Sequence, residues 1–144
     1  MGTLERFFVE GAPRPLGAYC HAAVVDGRFI VTAGLSARDP KTNRTPGLEL
    51  GPNGERLSYD IKAETRGCLE NLKQIIETAG GTLETVVEVQ VFLTDMKDFA
   101  AYNEVFSEYF QKNPPARTTV GVSSLPGPLA IEIKALALRK AETK

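Results

Sequence analysis

The chain contains very few of the side chains on which metal-dependent chemistry depends. Its 144 residues include one histidine and two cysteines. A zinc deaminase needs a histidine and closely spaced cysteines as ligands. Cys20 and Cys68 are too far apart for such a site, and too few for a disulfide framework. We therefore expect two reduced thiols and an activity that uses neither a metal nor a cofactor.

Motifs of several other functional classes are also missing. The sequence has no G-x-S-x-G nucleophile elbow and no phosphate-cradling glycine loop. It has no apolar run of about 18 residues, no signal-peptide core and no myristoylation pattern. The net charge is −1 and both signs are scattered, which argues against nucleic-acid and membrane partners. The composition favours a cytoplasmic protein that acts on a small molecule.

Hydrophobic periodicity divides the chain into the strands and helices of one domain, residues 1–144. The pair Asp26-Gly27 favours a type I′ turn between two β-rich runs. Apolar residues recur at helical spacing from Asp60 to Gly80, and again after Asp98. Asp60 or Ser58 is expected to cap the first helix, and Asp98 the second. These patterns predict strands at 19–25, 28–34, 87–93, 117–122 and 130–138, and helices at 60–79 and 98–110.

The order of these elements predicts an α+β fold in which two helices cover one face of a mixed sheet. The opposite face carries apolar side chains that the two helices cannot reach. Self-association is expected to bury that face. A polar, turn-rich stretch at 39–58 is expected to be a surface excursion that is either functional or mobile.

The strongest functional signal lies near the C-terminus, where Arg117 precedes Glu132 by fifteen positions. Arg117 and Thr119 alternate along a predicted strand, so they project from one face. Glu132 lies between Ile131 and Ile133 and points away from the face that these two bury. A guanidinium, a hydroxyl and a carboxylate around one pocket suit hydrolysis of a small carboxylated imine. The arginine would bind the carboxylate, and the other two groups would hold a water.

Further motifs follow in a fixed order along nearly the whole chain. They are Gly17-Ala18-Tyr19, Thr32-Ala33-Gly34, Glu70-Asn71-Leu72-Lys73, Ala79-Gly80, 91–96, Asp98-Phe99-Ala100, Asn103-Glu104-Val105, 113–120 and 131–135. This ordered set resembles the RidA/YjgF family of enamine and imine deaminases. The resemblance implies a chorismate-mutase-like fold and a homotrimer in which three sheets form a barrel. It also implies that the active sites lie between subunits.

The resemblance implies roles for individual residues as well. Arg117 is predicted to bind the substrate carboxylate, with Glu132 and Thr119 as catalytic partners. Each has a structural alternative, such as an exposed strand arginine or a glutamate paired with Lys134. A lone, half-buried histidine is likewise more often structural than catalytic. The residues predicted to contact substrate are Tyr19, His21, Gly34, Arg38, Asn103 and Gly121.

Within the family the sequence is most similar to the 2-aminomuconate deaminases. The similar segments are 19–21, 36–40, 59–66, 118–120, 131–135 and the long 39–58 stretch. Gly121 stands where many relatives carry Glu and leaves room beside Arg117 for a longer diacid. The second carboxylate of such a substrate would need another cation, for which Arg38, Arg14 and Lys134 are candidates.

The predicted reaction converts 2-aminomuconate into 2-oxo-3-hexenedioate and ammonia, in the catabolism of aromatic rings. Three alternatives stay open. The first is a general deaminase of reactive imines of the 2-aminoacrylate type, and the second is a non-catalytic trimer that binds a small carboxylate. The third is a chaperone or RNA-acting protein, which the scattered charge disfavours because phosphate binding needs clustered Lys and Arg.

Overall fold

The computed structural model describes residues 2–141. In that range the chain forms two α-helices, α1 (Ile61–Thr78) and α2 (Phe99–Phe110). Short 3-10 turns at Leu83–Thr85 and Met96–Asp98 lead into β6 and α2. The strands are β1 (Leu4–Phe7), β2 (Ala22–Val25), β3 (Phe29–Thr32), β4 (Glu49–Leu50), β5 (Arg56–Ser58), β6 (Val86–Leu93), β7 (Ala116–Gly121) and β8 (Ile131–Leu138).

Six of these strands form one sheet in the order β1-β2-β3-β8-β6-β7. Strands β6 and β7 run parallel, and the other neighbours are antiparallel. The remaining two strands, β4 and β5, form a separate small hairpin. Helix α1 packs against β8, β3 and α2. The α+β prediction, with two helices on one face of a mixed sheet, is therefore confirmed.

The core lies between the sheet and α1, as the apolar spacing predicts. Side chains that alternate along β6 and β8 are fully buried, and the predicted apolar stripe of α1 meets them. Removal of this apolar surface from water is the main stabilising term, at about 25 cal/mol per Å². The fully buried members of the two surfaces include Val89, Val91, Leu93, Ile131, Ile133, Ala137, Cys68, Leu69, Leu72, Ile75 and Ile76.

The other side of the sheet, which we call the open face, carries exposed apolar side chains. Phe29 pairs with Leu138, and Val31 lies two residues further along β3 on the same side. These three side chains and Val120 are 40, 39, 37 and 41 % exposed, respectively. Several exposed apolar side chains on one face of a sheet are unusual on a chain that stays monomeric.

Two local predictions are confirmed in detail. Asp26 and Gly27 both have positive φ angles, 53° and 65°, as a type I′ turn requires. The turn is closed by a hydrogen bond of 3.0 Å from Arg28 N to Val25 O. At the start of α1 the side chain of Asp60 accepts a hydrogen bond from Ala63 N, so it caps the helix.

Two other predictions are wrong. The strand expected from residue 19 begins only at Ala22, because the chain turns at Tyr19, whose N–H bonds Gly17 O at 3.0 Å. Tyr19 and His21 therefore do not share a strand face. Asp98 does not cap α2 with its side chain. Its carboxylate instead accepts a hydrogen bond of 2.7 Å from the Tyr59 hydroxyl, which ties the end of the 39–58 excursion to α2.

A bulge at the end of β3 controls which side chains reach the open face. Val31 pairs with Leu136, and the next bridge joins Leu35 to Ile133. Between these two pairs β3 contributes one residue more than β8, which reverses the alternation of side chains. Gly34 therefore lies on the open face of the sheet, and Leu35 enters the core.

In residues 2–141 no helix has both the length and the apolar character needed to cross a bilayer.

Candidate active site

Arg117 lies at the start of β7 and packs against one side of α2. Its guanidinium carbon is 5.6, 5.3 and 4.7 Å from the ring centroids of Phe99, Tyr102 and Phe106. Its Nη1 donates a hydrogen bond of 2.8 Å to Asn103 Oδ1. Aromatic faces attract a cation without neutralising it, and a neutral amide does the same. We call these five residues the arginine cluster; they hold a positive charge in a fixed position.

Two further predicted site residues extend this cluster along β7. Thr119 lies two positions after Arg117, and its hydroxyl is hydrogen-bonded to that of Tyr102. Burial raises the pKa of the Tyr102 hydroxyl, while the bond to Thr119 and the charge of Arg117 lower it. Gly121 follows on the same side, and a Cβ atom there would lie 3.0 Å from Met96 Cγ. The space left by the missing side chain at Gly121 is thus bounded by the flexible side chain of Met96.

Glu132 lies in a different place, in a cavity of about 900 Å³ on the open side of the sheet. We call it the glutamate cavity. The carboxyl is half-buried, and the loss of solvent raises its pKa, with a smaller opposing effect from Lys134. A raised pKa suits a carboxylate that accepts a proton near neutral pH. The predicted site residues that line this cavity are Tyr19, His21, Gly34, Arg38 and Glu132.

Gly34 is required at its position by the close approach of Glu132. A Cβ atom on Gly34 would lie 2.6 Å from Glu132 Oε2 and 2.9 Å from its carboxyl carbon. No real Cβ makes such contacts, so any other residue would displace the carboxylate. The β3 bulge thus places the backbone of Gly34, which has no side chain, against Glu132, the candidate base.

The single histidine has a structural contact at each ring nitrogen. His21 Nδ1 accepts a hydrogen bond of 2.8 Å from Val9 N, so Nε2 carries the proton and donates to Pro13 O at 2.7 Å. The ring is almost fully buried and fixes the segment that precedes β2. A direct contact of His21 with substrate stays a prediction.

The 39–58 excursion forms one wall of the glutamate cavity. It begins with a turn in which Asp39 Oδ1 accepts from the N–H groups of Lys41 and Thr42. These two bonds lower the pKa of Asp39. Residues of the excursion that line the cavity are Asn43, Arg44, Thr45, Leu48, Glu49 and Leu50. The excursion was expected to be either functional or mobile, and its position in the wall of the cavity favours a functional role.

The predicted site residues fall into two groups that one chain does not bring together. Arg117 pairs with Val89 on β6, and Thr119 with Val91, so both project to the helix side. Glu132 pairs with Phe92 and projects to the open face. Residues 2–141 of one chain thus do not form a pocket that combines Arg117, Thr119 and Glu132.

The aromatic contacts of Arg117 were not predicted from the sequence. Tyr102 and Phe106 belong to the apolar stripe of α2, where spacing of three or four residues indicates core packing. No sequence signal separates an aromatic that packs in the core from one that contacts an arginine on a neighbouring strand. Asn71 was also missed as a site residue, although its buried amide lines the glutamate cavity.

Among residues 2–141 no three His, Cys, Asp or Glu side chains are grouped as metal ligands. Independence from metals and cofactors stays a prediction.

Comparison with known proteins identifies the family. Residues 9–139 match the family described as Endoribonuclease L-PSP. A RutC family protein of Pyrococcus horikoshii is 45% identical over 94% of this chain and 98% of its own length. A rat protein named 2-iminobutanoate/2-iminopropanoate deaminase is 37% identical over 89% of this chain and 85% of its own. The crystal structure of the E. coli YjgF gene product has a TM-score of 0.80 and 33% identity, and covers 94% of this chain and 99% of that one. The chain therefore belongs to the Endoribonuclease L-PSP family, which is the RidA/YjgF group that its motifs resemble.

Proposed function

We propose that this protein is a hydrolytic deaminase of carboxylated enamines and imines. The observation that carries the proposal is the division of the site into two complementary halves. The arginine cluster offers a fixed cation for a carboxylate. The glutamate cavity offers a half-buried carboxyl with a raised pKa. A rat relative is named a deaminase of 2-iminobutanoate and 2-iminopropanoate. Deamination of such a carboxylated imine by water calls for a group that binds the carboxylate and a group that moves a proton.

Assembly of several copies would bring the two halves together. On the open face Leu138 of β8, the strand that carries Glu132, and Phe29 and Val31 of the neighbouring β3 are exposed. Burial of this apolar surface favours association. In a closed ring of copies, a homotrimer, the arginine cluster of one subunit would face the glutamate cavity of the next.

The chemistry then follows from the groups present. Arg117 binds the substrate carboxylate through its remaining N–H donors and orients the C=N bond. Glu132 accepts a proton from a water as the water oxygen bonds to the imine carbon. Glu132 returns this proton to the nitrogen. The new hydroxyl group then gives its proton to the nitrogen as the C–N bond breaks and the C=O bond forms, so ammonia leaves a 2-oxo acid. Thr119 holds the water or the substrate by a hydrogen bond, since its hydroxyl both donates and accepts.

For the substrate we propose a dicarboxylic imine, with 2-aminomuconate as the specific candidate. Its support is the missing side chain at Gly121 and a cavity large enough for an extended diacid. A deaminase of short imines such as 2-aminoacrylate is the alternative, and the name of the rat relative favours it.

Mixed assemblies of two inactive variants test the division of the site. Arg117→Ala and Glu132→Gln chains are purified with different tags, mixed under dissociating conditions and reassembled. If each site takes Arg117 from one subunit and Glu132 from its neighbour, about a quarter of the sites in a random mixture carry both wild-type residues. Ammonia release should return to that fraction of the wild-type rate.

The control for this experiment is a mixture of each variant with itself after the same treatment, which should stay inactive. If mixed trimers form but ammonia release does not recover, the site is not shared between copies. Hydrolysis of RNA, combined with no ammonia release from any imine by the wild type, would instead favour the RNA-acting alternative.

A further inference from the structure

The segment that follows β3 places a cation in the glutamate cavity. Leu35 pairs with β8, so the segment runs extended beside the strand that carries Glu132. Side chains two apart in extended backbone share a side. Leu35 and Ala37 are buried in the core, and Gly34, Ser36 and Arg38 line the cavity.

Arg38 is held in position by neutral partners. Its Nη1 donates to Asn43 Oδ1 at 2.6 Å, and its Nη2 donates to the backbone oxygen of Arg14 at 2.6 Å. The backbone oxygens of Ser36 and Arg38 each accept from the buried Asn71 amide, at 2.9 and 3.1 Å. A guanidinium has five N–H donors. The charge is therefore preorganised without being neutralised, and donors remain for an anion.

The other candidate cations fit this role less well. The lining of the cavity includes Arg38 but neither Arg14 nor Lys134. Arg44 also lines the cavity, but it is exposed. Solvent screens its charge, and ordering an exposed arginine costs side-chain entropy. Arg38 is half-buried and already ordered.

We propose that Arg38 binds a second carboxylate, at the end of the substrate remote from the C=N bond, and so gives the enzyme its preference for dicarboxylic imines. This inference rests on the proposed deaminase function. Arg38 and Glu132 line the same cavity, and Gly34, four residues before Arg38, lies against the Glu132 carboxylate. Four extended residues span at most about 14 Å, a separation that the arginine side chain and an elongated substrate would bridge together. A bidentate guanidinium–carboxylate contact discriminates between a terminal carboxylate and a terminal methyl group.

The test uses two imino acids that have the same carbon chain. 2-Iminoadipate and 2-iminohexanoate are generated in situ by an amino acid oxidase from 2-aminoadipate and norleucine. They differ only in a terminal carboxylate in place of a methyl group. For Arg38→Gln, kcat/KM on the diacid should fall about 10- to 100-fold, the range for loss of a hydrogen-bonded charge, while kcat/KM on the monoacid stays within about threefold.

Two matched variants complete the test. Arg66→Gln removes an exposed arginine on α1, outside the cavity, and should change neither rate. Arg44→Gln should lower the rate on the diacid by less than Arg38→Gln does. Equal losses on both substrates for Arg38→Gln, or no loss on the diacid, would overturn the proposal.

Adipate binding separates this inference from the proposed activity. Calorimetry measures Kd for adipate and hexanoate with the wild type and Arg38→Gln. If the wild type hydrolyses neither imine, the deaminase proposal fails. Adipate binding that Arg38→Gln weakens at least about tenfold, with hexanoate unaffected, would still support the Arg38 site. Equal adipate binding by the two proteins would overturn it.

Discussion

The arginine cluster and the glutamate cavity treat their charged groups in opposite ways. Three aromatic faces and one amide surround the guanidinium of Arg117, and none of these four groups carries a negative charge. Glu132 has its charge disfavoured, because half-burial removes water from the carboxylate. A permanent charge suits a binding group, and a disfavoured charge suits a group that must take up a proton. The comparison thus assigns binding to one region and proton transfer to the other.

The two regions also differ in how they are built. Arg117 and its partners lie on a strand and a helix, so regular backbone hydrogen bonds fix the cluster. The walls of the glutamate cavity come mostly from irregular segments, including the 39–58 excursion. Regular elements position a group accurately, and loops vary more freely. A common binding group beside a variable wall would allow one reaction to serve different imines.

The largest expected effect comes from Glu132→Gln. If Glu132 is the base, kcat should fall roughly 10²- to 10⁴-fold, with little change in substrate affinity. The base acts deprotonated, so wild-type kcat/KM should rise with pH through the raised pKa of Glu132. The Gln variant should lose that dependence. Steady-state ammonia release between about pH 5 and 9 measures both effects.

Glu84→Gln is the matched control, since Glu84 is an exposed acid in the 3-10 turn that precedes β6. It should leave the rate and its pH profile unchanged. A Glu132→Gln variant that keeps kcat but loses affinity would make Glu132 a binding group and remove the contrast between the two regions.

A smaller loss is expected from Arg117→Lys. An ammonium keeps the charge but cannot form the planar, two-pronged contact with a carboxylate. We expect kcat/KM to fall about 10- to 100-fold, mainly through KM, with the mass of the assembly unchanged. Kinetics together with light scattering measure this. Arg66→Lys, at an exposed ion pair with Glu108, serves as the control. Near wild-type turnover by Arg117→Lys would contradict the assignment of Arg117 as the group that binds the carboxylate.

Much of the fold was predictable because its signals are local. The stripe of α1, the Asp60 cap and the Asp26-Gly27 turn each depend on residues close in sequence. Strand β1 was missed because its contacts are with β2, from which it is separated by a long irregular segment. The β4–β5 hairpin was missed because its sequence is polar and rich in turn residues.

The arrangement of the site was less predictable, although its residues were found. Alternation shows that Arg117 and Thr119 share a face, but not which face of the sheet that is. Only the parallel register with β6 determines that they project toward α2. The β3 bulge likewise depends on pairing with β8, so the position of Gly34 beside Glu132 follows from tertiary structure alone.

A second buried carboxyl, that of Glu64, tests whether burial alone is enough to make a carboxyl functional. Glu64 on α1 is fully buried, and its Oε2 accepts from Ala130 N at 3.1 Å, while Oε1 has no partner among the described residues. Burial raises its pKa, and the bond to Ala130 and the charge of Arg56 oppose this. Unlike Glu132, it does not line the glutamate cavity.

The smallest expected effect is therefore on stability, from Glu64→Gln. A raised pKa means that the folded state holds the proton at a pH where the unfolded chain has released it. The stability of the wild type should then fall as pH rises above 4.5, the ordinary value for this carboxyl, toward the folded pKa. A glutamine has the shape of the protonated carboxyl, and its contribution to stability does not depend on pH.

Denaturant unfolding at fixed protein concentration, from about pH 4 to 8, should show that the variant becomes more stable relative to the wild type as pH rises. Glu77→Gln, at an exposed site on the same helix, is the control and should change the stability by less than Glu64→Gln does. If the stability of Glu64→Gln and of the wild type depends on pH in the same way, the surroundings of Glu64 already compensate for its burial. If Glu64→Gln also changes kcat, a buried carboxyl outside the glutamate cavity does affect the chemistry at Glu132.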